Sequence, residues 1–189
     1  RKNNFKTSNY VMIIKNFEIN KINLKNNKFF LLYGENQGHK NDIINKIFKK
    51  FFLNNTYQYD ENEILNNQEN FFNEILAKSF FENEKLIIIH RTTDKIKNII
   101  EEIVEKGIDD IILVLNSNIL EKKSKLRKFF EENKKTICIA FYEDNFQTLS
   151  KIVHSFFRDN KISISQESLN LLVERSMGDR QNLKNELSK

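Results

Sequence analysis

The chain has 189 residues, of which 39% are hydrophobic and 30% are charged, and its 31 Lys and Arg exceed its 26 Asp and Glu by five. This composition is typical of a soluble globular protein of one domain or a domain and a half, and it excludes a disordered chain. No stretch approaches the roughly 18 apolar residues of a membrane span, so we expect no membrane association.

Two further features of the composition bear on partners and compartment. Asn, Lys and Ile are abundant and Pro is absent, which indicates a bias towards A·T-rich codons, so the mild basicity is weak evidence for DNA contacts. The single cysteine, Cys138, excludes an internal disulfide framework and any multi-cysteine zinc site. A buried small side chain in a reducing compartment is its simplest interpretation, and this predicts a cytoplasmic protein.

The first third of the chain predicts a strand and a helix between less regular segments. Residues 1–12 form a polar lead-in, and Lys15–Leu24 has a weak helical pattern. Lys28–Gly34 is an apolar run of strand type, and Asp42–Leu53 has apolar residues at the helical period. Tyr57–Tyr59 predicts another strand.

The middle of the chain alternates helices and strands. An amphipathic helix with Phe72, Ile75 and Leu76 on its apolar face runs into Ser79, Phe80 and Phe81. The elements that follow are a strand at Leu86–Ile89, a helix N-capped by Asp94 that ends at Lys106 before Gly107, a strand at Asp110–Asn116, a helix at Lys122–Glu132 and a strand at 136–140.

Continuous apolar strands that alternate with helices indicate a parallel sheet covered on both faces. We therefore predict an α/β domain at residues 13–145, with a parallel five-stranded sheet flanked by helices. From Phe146 onward the strand patterns stop. Helices at about 146–159, 166–176 and 179–188 predict a small helical lid domain over residues 146–189.

The adjacent phenylalanines at the end of the first amphipathic helix are a candidate contact site. Neighbouring helical residues point about 100° apart, so Phe80 and Phe81 cannot both lie on one narrow buried stripe. An exposed aromatic pair is a candidate anchor for a pocket on a partner. Burial in the core is the alternative, because Phe-Phe pairs recur at 29–30, 51–52, 71–72, 129–130 and 156–157.

The strand, glycine and helix at 29–52 lie where a nucleotide-binding loop would occur. The functional loop, G-x-x-x-x-G-K-S/T, needs its lysine against the phosphates and its hydroxyl on Mg²⁺. Here Gly34 and Gly38 are one residue too close together, Lys40 does not directly follow the second glycine, and Asn41 lacks a hydroxyl. Glu35 adds a negative charge, and neither later strand ends in an acidic residue of Walker-B type. We therefore predict that nucleotide is neither bound nor hydrolysed here.

No other pattern indicates catalysis. His39, His90 and His154 are widely separated, and isolated histidines are usually surface or structural residues. The acidic pairs at 101–102, 109–110 and 131–132 lie on apparently solvated faces. We predict no catalytic residue, no metal and no cofactor.

Four stretches of the chain, taken in order, resemble the delta subunit of the bacterial DNA polymerase III clamp loader. Residues 31–38 resemble its strand and degenerate phosphate loop, and residues 79–87 its S-L/F-F-x-x-x-K/R-L-I/V segment. Residues 113–130 resemble its strand and K-x-S-K-L-R/K-K-x-F helix. Gly178, Asp179 and Arg180, with Leu183 and Leu187, are similar to its G-D-x-R…E-L-x-K helix, shifted by one residue.

The resemblance implies a degenerate AAA+ or P-loop-like domain in a subunit that binds and opens the beta sliding clamp for loading onto primed DNA during replication. Such a subunit does not hydrolyse ATP itself, although its holoenzyme is a DNA polymerase. Phe80 and Phe81, preceded by Ser79, match the residues that enter a pocket on the clamp. The implied partners are the beta clamp, the gamma or tau and delta prime subunits and, indirectly, primed DNA. A C-terminal collar domain would begin where this chain stops, and we expect it to be absent here.

Two other functions stay open. The chain could be an active P-loop or AAA+ ATPase subunit, in which case residues 34–41 would bind nucleotide. It could instead be a DNA-binding module that uses the basic residues around one predicted helix, which are Lys122, Lys123, Lys125, Arg127 and Lys128. A solvated helix face is the simpler interpretation of those five residues.

Overall fold

The computed structural model describes residues 12–13, 22–52, 55–76, 84–108 and 110–189. Its strands are β1 (Met12–Ile13), β2 (Phe29–Gly34), β3 (Thr56–Asp60), β4 (Lys85–His90), β5 (Ile111–Asn116) and β6 (Thr136–Phe141). They form one parallel sheet in the order β1-β6-β2-β5-β4-β3. The predicted five-stranded parallel sheet is confirmed, and β1 adds two residues at the edge beside β6.

The sheet is buried on both faces, which explains why its central strands read as continuous apolar runs. Successive side chains of a strand point to opposite faces, so Leu31 packs into one core while Phe30 and Leu32 pack into the other. Cys138 is 1% exposed in β6, and burial raises the pKa of its thiol to about 12. The prediction that Cys138 is a buried small side chain is confirmed, and the raised pKa makes its thiol unreactive.

The helices that cover the sheet begin and end close to the predicted positions, with some corrections. They are α1 (Gln37–Ile43), which continues through a π-helical segment (Ile44–Phe48) and a 3₁₀ turn (Lys49–Phe51), α2 (Glu61–Asn66), α3 (Gln68–Leu76), α4 (Lys97–Lys106) and α5 (Lys125–Glu132). The predicted helix at Asp42–Leu53 therefore starts five residues earlier, and α2 was not predicted. Residues 22–24 are not helical, which corrects the end of the weak helix predicted there.

The apolar face of α3 also differs from the prediction. Phe71 and Ile75 are buried, whereas Phe72 is half-buried and Leu76 is 44% exposed. Phe71 and Ile75, at i and i+4, define the stripe of this nine-residue helix that packs into the core. Lys15 to Lys21 and the segment 77–83 lie outside the described residues.

Asp94 does not cap the helix that follows it. Residues Asp94–Ile96 form a 3₁₀ turn capped by the side chain of Thr93, and α4 begins only at Lys97. The carboxylate of Asp94 instead accepts hydrogen bonds from Ser124 Oγ at 2.6 Å and from the backbone N–H of Leu126 at 3.0 Å. It therefore caps α5, a helix that starts 31 residues later in the chain, which local sequence could not reveal. Gly107 ends α4 in the left-handed conformation, with φ of 60°, as predicted.

Three helices follow the sheet: α6 (Phe146–Asp159), α7 (Gln166–Arg175) and α8 (Arg180–Leu187). We call them the helical unit. They have a small core of their own, formed by Leu149, Val153, Leu169, Val173 and Leu183. In the part of the chain that the structure describes, no helix is both long and apolar enough to span a bilayer.

Candidate functional site

A cleft opens at the carboxyl edge of the sheet, where the chain leaves β2. In parallel α/β sheets ligands usually bind at this edge, at the point where the connections that follow two neighbouring strands leave in opposite directions. Gly34 ends β2 with φ of 121°, and a Cβ atom there would lie 2.2 Å from the carbonyl oxygen of Phe141. Only glycine fits at this position, because β6 passes directly against the turn.

Lys40 lies in α1, and its side chain extends back towards the loop that follows β2. Its side chain is fully buried, and Nζ donates hydrogen bonds to the carbonyl oxygen of Gly34 at 2.9 Å and to that of Ser117 at 2.5 Å. Burial lowers the pKa of Lys40 to about 8. Its amino group is therefore used to join the loop after β2 to the end of β5, and it does not line the cleft.

The cleft contains a cavity of about 290 Å³, close to the lower limit for a small-molecule site. Its charged lining residues are four acids and one base: Glu35, Glu143, Asp144, Asp179 and Arg180. Asp144 is already paired with Arg180, so the other three carboxylates leave the cavity negatively charged. A nucleoside triphosphate, which is strongly anionic, is disfavoured by this lining.

Asp144 is the centre of a hydrogen-bond network at the mouth of the cleft. Arg180 donates from Nε to Asp144 Oδ2 at 2.8 Å and from Nη2 to Oδ1 at 2.5 Å, which is a bidentate pair. Asn36 Nδ2 donates to the same carboxylate at 2.8 Å, and Asn36 Oδ1 accepts from the backbone N–H of His39 at 2.9 Å. Burial opposes ionisation of Asp144, but the hydrogen bonds from Arg180 and Asn36 outweigh it and lower its pKa.

His39 lies beside this network and is not poised for proton transfer at neutral pH. Its ring packs edge-on against Phe141, with 5.1 Å between the ring centroids. Burial, followed by the nearby charge of Arg180, lowers the pKa of His39 to about 4. The imidazole is therefore neutral at physiological pH, and it serves as a packing residue.

The ends of β4 and β5 carry no acidic residue that could hold a catalytic metal. His90 ends β4, where its Nε2 lies 3.2 Å from Gln58 Oε1 and its Nδ1 lies 3.4 Å from Asn116 Nδ2. The buried Glu61 accepts from the backbone N–H and the hydroxyl of Thr93. Among the described residues no group of three His, Cys, Asp or Glu could hold a metal ion.

The basic residues proposed to contact DNA lie in the first part of α5 and in the turn that precedes it. Lys122, Lys123, Lys125 and Lys128 are exposed, but Lys122 and Lys123 precede α5 and do not lie on it. Arg127 is half-buried: its guanidinium lies 4.8 Å from the centroid of the Tyr33 ring, and its Nε donates to Glu131 at 2.7 Å. Arg127 is therefore engaged within the protein, which leaves four exposed lysines, of which Lys123 pairs with Glu121 and Lys128 with Glu132.

The predicted clamp-binding residues, Ser79, Phe80 and Phe81, lie outside the described residues, and only their flanks can be placed. Lys85, the first residue of β4, donates from Nζ to the carbonyl oxygen of Glu74 near the end of α3, at 3.4 Å. Glu84 pairs with Lys28, which precedes β2. Both flanks of the segment 77–83 therefore lie at the amino edge of the sheet, whereas the cleft lies at the carboxyl edge.

Sequence reasoning missed three residues of the cleft. Asn36, Glu143 and Asp144 carry no local pattern, and Arg180 was noted only as part of a helix motif. The available signal was position, since Asn36 and Asp144 each follow a buried strand, and the carboxyl ends of parallel strands share one edge of the sheet.

Comparison with solved structures identifies the fold. The chain is similar to the Bacillus subtilis DNA clamp loader delta protein, with a TM-score of 0.60 and 16% identity over 91% of this chain and 54% of that protein. It is also similar to a RuvB variant from Thermotoga maritima, with a TM-score of 0.55 and 12% identity over 85% of this chain and 53% of that protein. The chain therefore has an AAA+-like fold and spans about half the length of each of these proteins. No family model matches the sequence, and no curated protein sequence matches it.

Proposed function

We propose that this chain is the delta-type subunit of a clamp loader, which binds and opens a beta sliding clamp and does not hydrolyse ATP. The observation that carries the proposal is the likeness in fold to a clamp loader delta protein over 91% of the chain. The clamp-binding residues would be Phe80 and Phe81 with Ser79. The gamma or tau and delta prime subunits would be further partners, primed DNA would be met through the complex, and the protein would act in the cytoplasm.

The cleft supports the non-hydrolysing part of the proposal. The amino group that a phosphate loop directs at its ligand is bonded here to the carbonyl oxygens of Gly34 and Ser117. The remaining carboxylates of the cavity repel an anionic ligand, and among the described residues no group of three His, Cys, Asp or Glu could hold a metal ion. The alternative of an active ATPase would require Lys40 to leave this position.

The proposed action is mechanical. Two aromatic side chains bury about 150 Å² or more each, and at about 25 cal/mol per Å² their insertion into a clamp pocket could supply several kcal/mol. A ligand shifts a conformational equilibrium only by its difference in affinity for the two states. The chain would therefore open the clamp because its aromatic tip binds the opened form more tightly than the closed form.

The test is a pull-down and a binding isotherm with purified beta clamp, using the Phe80→Ala/Phe81→Ala double variant. We expect wild type to bind and the double variant to lose at least about tenfold in affinity, since aromatic anchors of this kind typically contribute 2 kcal/mol or more. The matched control is Phe51→Ala/Phe146→Ala, which removes two phenylalanines that are 69% and 50% exposed elsewhere. Unchanged binding by a folded Phe80→Ala/Phe81→Ala variant would refute the assignment.

A DNA-binding module is the second candidate, favoured by the exposed lysines around the start of α5. Charge reversal at Lys122 and Lys125 tests it, because phosphate contacts make DNA binding salt-dependent. Direct DNA binding by the isolated chain that is lost on charge reversal would favour this function over the clamp.

A further inference from the structure

The helical unit contacts the rest of the chain through a connected set of charged side chains at the cleft. Arg180, the first residue of α8, binds Asp144, which lies in the connection between β6 and α6. Asp144 in turn accepts from Asn36 in the loop after β2. Lys184, one turn further along α8, pairs with Asp42 of α1, and Arg180 Nη1 lies 3.8 Å from the same carboxylate.

We propose that these five residues form a latch, which holds the helical unit against the sheet in one orientation without any bound nucleotide. The latch residues are Asn36, Asp42, Asp144, Arg180 and Lys184. They join three separate parts of the chain: the loop and first helix after β2, the connection after β6, and the last helix.

Burial makes the central pair of the latch strong. The side chain of Asp144 is 4% exposed and that of Arg180 is 12% exposed, so water screens the pair poorly. The bidentate geometry satisfies both carboxylate oxygens, and Asn36 adds a third donor. Removal of either partner would leave an uncompensated charge in a largely buried position, which is far more costly than the loss of a surface ion pair.

Gly38 lies where α1 and α8 pack together. A Cβ atom at this position would lie 3.4 Å from Arg180 Cβ and 3.5 Å from the backbone nitrogen of Gln181, which is ordinary van der Waals contact. The first turn of α8 therefore rests directly against α1. This close approach brings Arg180 and Lys184 within reach of Asp42 on the adjacent turn of α1.

The latch has a consequence for control of the molecule. Its side chains span the cleft between the sheet and the helical unit, which is where a bound ligand would have to bridge the two. Because the protein's own ion pairs already make that bridge, the helical unit keeps its orientation without nucleotide. The inference rests on the geometry of the cleft and does not require the proposed clamp binding.

The test is hydrogen exchange measured by mass spectrometry on the full chain, for wild type and for Asp144→Asn, Arg180→Gln and the double variant. In each single variant, we expect protection of the α8 amides to fall at least about tenfold, with the β4 and β5 amides unchanged. The double variant should lose no more than about the larger single loss, because the two residues act as one unit. Arg158→Gln/Asp159→Asn removes an ion pair on the helical unit whose side chains are 76% and 64% exposed, and it should change nothing.

Two further measurements complete the test. In wild type, 1 M salt should lower α8 protection by no more than about twofold, because the central pair is buried and poorly screened. Mg²⁺-ATP should also leave that protection unchanged, and nucleotide-dependent protection would overturn the proposal. Protection of α8 within twofold of wild type in both single variants would overturn it as well. If Asp144→Asn also exposes the strands, Lys184→Gln decides: a loss of protection confined to α8 supports the latch, and no loss refutes it.

Discussion

Replacement of Lys40 by methionine tests whether this lysine stabilises the fold or binds phosphate. Methionine has a similar length and no donor, so the carbonyl oxygens of Gly34 and Ser117 would both lose their hydrogen bond from Nζ. Two hydrogen bonds from a charged donor stabilise the fold by about 3–6 kcal/mol together. The substitution also removes the cost of burying the ammonium, which is about 3 kcal/mol. We therefore expect Lys40→Met to lower the free energy of unfolding by about 2 kcal/mol at pH 7.5.

The pH dependence gives this prediction a distinctive sign. The pKa of Lys40 is lowered from 10.5 to about 8 by burial, so above pH 8 the unfolded chain holds more protons than the folded one. The contribution of Lys40 to stability therefore rises between pH 8 and 10.5. Relative to Lys40→Met, wild type should gain about 2 kcal/mol between pH 7.5 and 9.5.

Urea unfolding at the two pH values measures both quantities, with Lys50→Met as a control because Lys50 is exposed. The control should differ from wild type by no more than about 0.5 kcal/mol. The reasoning would be refuted if Lys40→Met left stability unchanged at both pH values. It would also be refuted if wild type bound ATP and Lys40→Met abolished that binding, since Lys40 would then be a phosphate ligand.

Two other predictions concern the same edge of the sheet. Gly34→Ala should lower the free energy of unfolding by more than about 3 kcal/mol, because its Cβ would lie 2.2 Å from the Phe141 carbonyl oxygen, whereas Gly107→Ala, with no atom within 4 Å, should cost about 1 kcal/mol. Equal losses in denaturant unfolding would contradict this contact. In the folded chain the pKa of His39 is lowered from 6.5 to about 4, so between these pH values the unfolded chain binds more protons than the folded one. Stability should therefore fall as the pH falls from 6.5 to 4. His39→Gln should remove about 2 kcal/mol of that fall, after allowance for partial solvent screening, and an unchanged pH profile would argue against a buried His39.

The sequence by itself determined the class of fold and the location of its main elements. The residues from Ile111 to Leu115 are all apolar because the strand is buried on both faces, and that burial can be predicted without knowing any partner strand. The helix stop at Gly107 and the strand end at Gly34 are equally local, since each requires a backbone conformation that glycine adopts most readily. The sequence also showed that the spacing of Gly34, Gly38 and Lys40 departs from that of a functional phosphate loop.

Only the tertiary structure decided what those residues do. Lys40 bonds to Ser117, 77 residues away, Asp94 caps a helix that starts 31 residues later, and Asp144 pairs with Arg180 across 36 residues. The periodicity of a sequence indicates which side of a helix or strand is buried, but it does not show which distant residues contact that side. From sequence alone, a charged side chain is predicted to be exposed to solvent. Where the fold buries such a side chain, the groups that it pairs with determine its role.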